Sequence, residues 1–126
     1  MRILIDTHIL IWFLEGNSEL SDVHKSFIVD SDNEVFTSIA SLWEMAIKVN
    51  IGKLTLANPL VDVVAGLRKE NIEILSITPS HTLQVSSLPL HHRDPFDRML
   101  IAQAQVEFLD VVTNDGAFAD YGLNLI

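Results

Sequence analysis

Four carboxylates stand where their neighbours give little reason for them. Asp6 ends the apolar run Ile3-Leu4-Ile5, and Glu44 lies among Ile39, Leu42, Trp43, Met45, Ala46 and Ile47. Asp97 follows Asp94-Pro95-Phe96, and Asp115 follows Val111-Val112-Thr113-Asn114. Hard oxygen donors of this kind suit Mg2+ or Mn2+, and Mg2+ takes only a few carboxylates while keeping several waters. Brought to one point, the four acids would hold a divalent ion and support metal-assisted hydrolysis of a phosphate ester. Each acid also has a plainer explanation. Asp6, Asp97 and Asp115 lie at or near expected helix N-termini, where an acid caps free N–H groups and meets the positive end of the dipole. Glu44 has Lys48 at i+4, a pair worth about 0.3–0.5 kcal/mol. Asp94, directly before Pro95, is read purely as a cap, which leaves Asp97 with less structural reason to be acidic. One shared site is more economical than four separate reasons.

The elements that must position these acids alternate between strand and helix. Arg2–Asp6 reads as a short apolar strand, and Thr7–Glu15 as a helix stopped by Gly16-Asn17. Ser21 caps a helix running to about Ser31, Glu34–Thr37 is a strand, and Ser38–Ile51 is a helix closed by Gly52. Pro59 opens a helix to about Glu70, Ile72–Ile77 is a strand, and Pro79 starts a helix ending near Leu88-Pro89. Leu90–Arg93 is a loop, and Asp94-Pro95 begins the clearest helix, with proline at its first position. Asp110–Thr113 is the fourth strand, Asp115–Tyr121 a short helix, and Leu123–Ile126 an edge strand. This order predicts an α/β fold, a three-layer α/β/α sandwich around a mostly parallel sheet. Ligands of such sheets bind outside the carboxyl ends of the strands, where Asp6, Ser38 and Asp115 fall.

Composition bounds the rest. At 126 residues the chain is expected to be one domain, 1–126, with 48% hydrophobic residues to fill a core. Cysteine is absent, which excludes disulfides and thiolate metal sites and fits a reducing cytoplasm. No apolar run approaches the roughly 18 residues of a membrane span, and Asp6 and His8 break the only stretch resembling a leader, so a cytoplasmic protein without membrane contact is expected. The net charge of −9 is a poor match for a nucleic-acid backbone. A metal nuclease is the exception, because its acids hold cations and the cations meet the phosphate.

The sequence resembles the PIN-domain ribonucleases, best known as the VapC-type toxins of type II toxin–antitoxin systems. The resemblance runs through Leu4-Ile5-Asp6-Thr7-His8, then Ser38 to Lys48 with its Trp43-Glu44 pair and Gly52-Lys53-Leu54. It continues through Leu88 to Ala104, including His91-His92-Arg93-Asp94-Pro95-Phe96-Asp97, and closes on Thr113-Asn114-Asp115. It implies dependence on Mg2+ or Mn2+ and cleavage of single-stranded RNA. It also implies metal binding by Asp6, Glu44, Asp97 and Asp115, with Thr7, Ser41 and Thr113 in support. Asp6 and Asp97 would be the main direct ligands, with Glu44 and Asp115 binding directly, through water, or acting as base. The three hydroxyls could hydrogen-bond the carboxylates or serve as ordinary caps. A homodimer and a groove for an antitoxin peptide follow from the same resemblance.

Eight lysines and arginines are all the chain has. Arg93 and Arg98 flank Asp97 and could contact RNA phosphate or pair with nearby acids. His91-His92 is not expected to bind a metal, because adjacent residues rarely face one ion; His8, His24 and His81 are read as structural. Gly52-Lys53 lacks the upstream glycine of a phosphate loop. The first helix carries Ile9 to Leu14 without a polar residue, so either part of it faces a partner or it is buried beneath the next helices. Three functions follow: a toxin ribonuclease restrained by an antitoxin, a PIN nuclease for RNA processing or DNA cleavage without one, and a non-catalytic module keeping the fold. The intact acidic quartet speaks against the third.

Overall fold

The computed structural model describes residues 1–126. Four strands, β1 (Arg2–Ile5), β2 (Glu34–Ser38), β3 (Ile72–Leu75) and β4 (Asp110–Val112), form one all-parallel sheet in the order β3-β2-β1-β4. The helices are α1 (Thr7–Glu15), α2 (Asp22–Val29), α3 (Ile39–Asn50), α4 (Leu60–Lys69), α5 (Pro79–Ser86) and α6 (Pro95–Glu107), followed by a 3₁₀ helix over Gly116–Tyr121. Parallel strands need crossover helices, so both faces of the sheet are covered and its strands are apolar on both.

Strand alternation sorts the core into two layers. Ile3, Ile5, Val35 and Val112 point to a cluster with Ile9, Leu10, Leu42, Met45 and Leu67, beneath α1 to α4. Leu4, Phe36 and Val111 point the other way, to Leu100, Ile101, Ala104 and Phe118 beneath α6 and the 3₁₀ helix. The outcome is the α/β/α sandwich expected from the alternating pattern. Truncating a fully buried residue such as Leu100 to alanine would cost about 2–5 kcal/mol.

The chain builds β1, β2 and β3 outward in one direction and then returns to add β4 on the other side of β1. The strand order therefore reverses beside β1, and the crevice beyond its carboxyl end is where α/β sheets bind ligands. Ile5 pairs with Val112 in register, which sets Asp6 and Thr113 side by side one step further on.

Two expectations change. The edge strand read over Leu123–Ile126 is a single parallel bridge between Val111 and Leu125. Two backbone bonds, from the Val111 N–H to the Asn124 carbonyl (2.9 Å) and from the Ile126 N–H to the Val111 carbonyl (3.0 Å), tie it to β4, together with the Asn124 side chain donating to Asp110 Oδ1 at 2.9 Å. For the first helix, where the sequence left a partner face and burial both open, the chain's own core covers much of the apolar run. Ile9 and Leu10 are fully buried, and Ile11, Trp12, Phe13 and Leu14 pack partly buried against the core. No helix is long and apolar enough to cross a membrane.

Candidate metal centre

Three of the four acids, Asp6, Asp97 and Asp115, are delivered at or next to the start of a helix, and Glu44 from the middle of α3. Asp6 is the N-cap of α1: its Oδ1 accepts the Ile9 N–H at 2.9 Å, and its Oδ2 accepts the Thr113 hydroxyl. It is 6% exposed, and burial raises its pKa against the lowering effect of those two hydrogen bonds. Thr113 has a second task, since its oxygen accepts the Asp115 N–H at 2.9 Å and ties β4 to the loop beyond. Asp115 caps the 3₁₀ helix through Oδ1 and the Ala117 N–H at 2.9 Å, leaving Oδ2 directed elsewhere.

Glu44 is buried in the middle of α3 with both oxygens engaged. The Thr7 hydroxyl lies 2.8 Å from Oε1 and 2.9 Å from the Ser41 oxygen. With one proton to give, Thr7 donates it to the carboxylate and accepts from Ser41, which makes the three a relay joining α1 to α3. Oε2 meets Lys48 Nζ at 2.6 Å, and this hydrogen bond raises the lysine's pKa. The i,i+4 pair with Lys48 thus forms, alongside the contact with the hydroxyls.

Asp94 and Asp97 divide as their positions in the helix suggest. Asp94 Oδ1 accepts the N–H groups of Phe96 (2.8 Å) and Asp97 (3.1 Å), so it caps α6. Asp97 caps nothing. Its pKa is pushed up to about 7, first by burial, then by the charge of Asp94, with Glu44 and Asp6 adding to the rise and only His92 opposing it. The mutual influence of Asp97, Glu44 and Asp6, and of Asp6 and Asp115, is the electrostatic sign that the four acids occupy one rim.

His92 is the residue the sequence reading missed. Its Nε2 lies 3.0 Å from Asp97 Oδ2 and 2.9 Å from Asp115 Oδ2. Its Nδ1 accepts the Asp94 N–H at 3.2 Å, so the ring proton sits on Nε2 and is shared between the two acids. His91 packs edge to face against the Tyr121 ring, with centroids 5.2 Å apart, whereas His92 joins the two carboxylates. The available signal was that His92 lies two residues before the cap of the helix carrying Asp97.

The two arginines also separate. Arg98 donates to the carbonyls of Pro89 (2.9 Å), His92 (3.0 Å) and Leu88 (3.3 Å), so its guanidinium clamps the loop that presents His92. Tyr121 fastens the same loop, accepting the His92 N–H at 2.7 Å and donating to the Pro89 carbonyl at 2.8 Å. Committed to carbonyls, Arg98 is a loop clamp rather than the phosphate contact considered for it. Arg93 is exposed and makes no hydrogen bond or ion pair.

The donor set fits a divalent cation. One atom each from His92, Asp97 and Asp115 lies within 4.8 Å of the others; Asp6 and Glu44 are not in this cluster, though their charges reach Asp97. Lys48 is spent on Glu44 and Arg98 on carbonyls, leaving Arg93 as the remaining arginine near a rim short of counter-charge, which a hard cation coordinated by carboxylates would supply.

The description PIN domain matches residues 3–123. No curated protein matches the sequence. Similar folds occur in VapBC2 from Rickettsia felis, solved bound to a DNA fragment from its promoter (17% identity, all of this chain and 98% of that one, TM-score 0.73), and in VapBC from Salmonella typhimurium, also DNA-bound (18%, all of this chain and 97% of that one, 0.74). A toxin–antitoxin complex from Klebsiella pneumoniae is similar at 20% identity, over 93% of this chain and 90% of that one, with a TM-score of 0.64. With a family match over nearly its whole length and the acids gathered at the strand ends of a parallel sheet, the chain belongs to the PIN domain family.

Proposed function

We propose that the chain is a divalent-metal-dependent endoribonuclease cleaving single-stranded RNA, and the toxin of a type II toxin–antitoxin pair. The observation that carries the reading is the cluster of His92, Asp97 and Asp115, with Asp6 and Glu44 near enough for their charges to act on Asp97. The rim is open, with Asp115 42% and Asp97 25% exposed at their side chains, which suits a polymer passing over it. The antitoxin rests on the similar folds, which include a toxin–antitoxin complex. Residues 1–126 would act as a single cytoplasmic domain, as a homodimer.

Asp6 and Asp97 would hold Mg2+ or Mn2+, with Glu44 and Asp115 completing the set or accepting a proton from the attacking water. When bound, the ion supplies Lewis-acid polarisation of a phosphoryl oxygen and neutralises its charge. The chain's own work is orientation. Thr113 fixes Asp6, Thr7 and Ser41 fix Glu44, and His92 holds Asp97 and Asp115 a fixed distance apart. Arg93 is the free cation beside the rim for a phosphate. Purified protein should hydrolyse single-stranded RNA with Mg2+ or Mn2+ and stop in EDTA. Cleavage undiminished after rigorous chelation and dialysis would overturn the metal mechanism.

A further inference from the structure

Two aromatic side chains flank the acids from outside the core. Trp43 directly precedes Glu44 on α3 and is 60% exposed, while Phe96 directly precedes Asp97 in the first turn of α6. Their rings meet edge to face, with centroids 5.3 Å apart at 79°. Successive residues of a helix are about 100° apart, so with Glu44 turned inward Trp43 stands at the lip of the acidic rim. Phe96 backs the indole edge to face, and the exposed remainder of the ring is open to use by a ligand.

The charges around it say what that use is. Lys48 is bound to Glu44, Arg98 is bound to carbonyls, and Arg93 alone is free beside the rim of a chain with net charge −9. Backbone attraction, which dominates the affinity of most nucleic-acid-binding proteins, is therefore weak here. Base–aromatic stacking needs no charge, and every base offers a face for it. Resting on the nuclease reading above, we propose that Trp43, buttressed by Phe96, is the platform on which one unpaired base of the substrate stacks. The platform selects single strands, because a duplex keeps its bases stacked on one another and has none to offer. Trp43 is in this sense a substrate-positioning residue, set beside the acids without binding the ion.

The chain has two tryptophans, so Trp12→Phe leaves Trp43 as the sole indole reporter. Its emission should be quenched saturably by a short 2′-O-methyl single-stranded oligonucleotide in Ca2+, and not by the same sequence as a duplex. In the otherwise native protein, Trp43→Ala should raise KM for RNA about tenfold, within the range that losing one base–aromatic stack brings. Its kcat should change by less than about twofold, the pattern of lost uniform binding, and Trp43→Phe should recover most of the KM. Absence of quenching, or a parental KM in a Trp43→Ala protein that melts normally, overturns the platform. So does a Trp43→Ala protein that sediments with a different oligomeric state, since the indole then belongs to a protein interface. If Asp97→Asn is inactive while Trp43→Ala keeps the parental KM, only the platform fails; if Asp97→Asn cleaves like the parent, the nuclease reading fails as well.

Discussion

Asp97 makes the acidic rim measurable without any RNA. In the native state its carboxyl is pushed up to about 7 from the ordinary aspartate value of about 3.9, so between those values the folded chain holds a proton that the unfolded chain has released. Stability of the metal-free protein therefore falls as pH rises through that window, because the native state binds more protons there. At 1.36 kcal/mol per pH unit the full cost is about 4 kcal/mol. With a quarter of the side chain exposed, solvent screening reduces this to roughly 2 kcal/mol, or about 8 °C in melting temperature for a domain of this size. Asp97→Asn keeps an acceptor for the His92 N–H but has no proton to lose. In chelator, parent and variant should melt alike near pH 4. Above pH 7 the variant should be the more stable by that amount. Adding Mn2+ at pH 8 should raise the parent's melting temperature and leave the variant's unchanged. Asp94→Asn is the control for capping, since asparagine caps a helix about as well as aspartate; because it also removes a charge that holds the Asp97 pKa up, the pH dependence should shrink in it without vanishing. The reasoning is refuted if the difference between parent and Asp97→Asn is flat from pH 4 to 8, or if the variant keeps the full response to Mn2+.

Thr113→Val removes the hydroxyl on Asp6 and the acceptor of the Asp115 N–H, so cleavage should fall about 10- to 100-fold while circular dichroism stays native. Arg98→Ala should cost about 2 kcal/mol by releasing the loop that carries His92, read as a lowered urea midpoint, whereas Arg93→Ala should leave that midpoint unchanged and raise KM. Sedimentation at micromolar concentration should show a dimer; a monomer across that range assigns the half-covered Trp12 and Phe13 to the chain's own core.

Much of this molecule is legible without a structure because it depends on neighbours in sequence. Pro95 at a helix start, Ser21 as a cap, and the alternation of Ile3, Leu4 and Ile5 are local matters of backbone geometry and hydrophobic period, and each lies where its pattern puts it. The four acids were picked out in the same way, as residues whose type disagrees with their local surroundings. Their convergence was not local. It follows from β4 adding on the far side of β1, which sets Thr113 beside Asp6 across 107 positions of sequence. The roles of His92 and Arg98 were decided at that level too. A histidine and an arginine six residues apart have many possible partners, and the packing of the 88–93 loop against Tyr121 and the start of α6 chose among them. Residue type and period determined which elements form and which residues were out of place; only the strand order and the loop's packing determined which of them meet, because those contacts close over distances that no local preference spans.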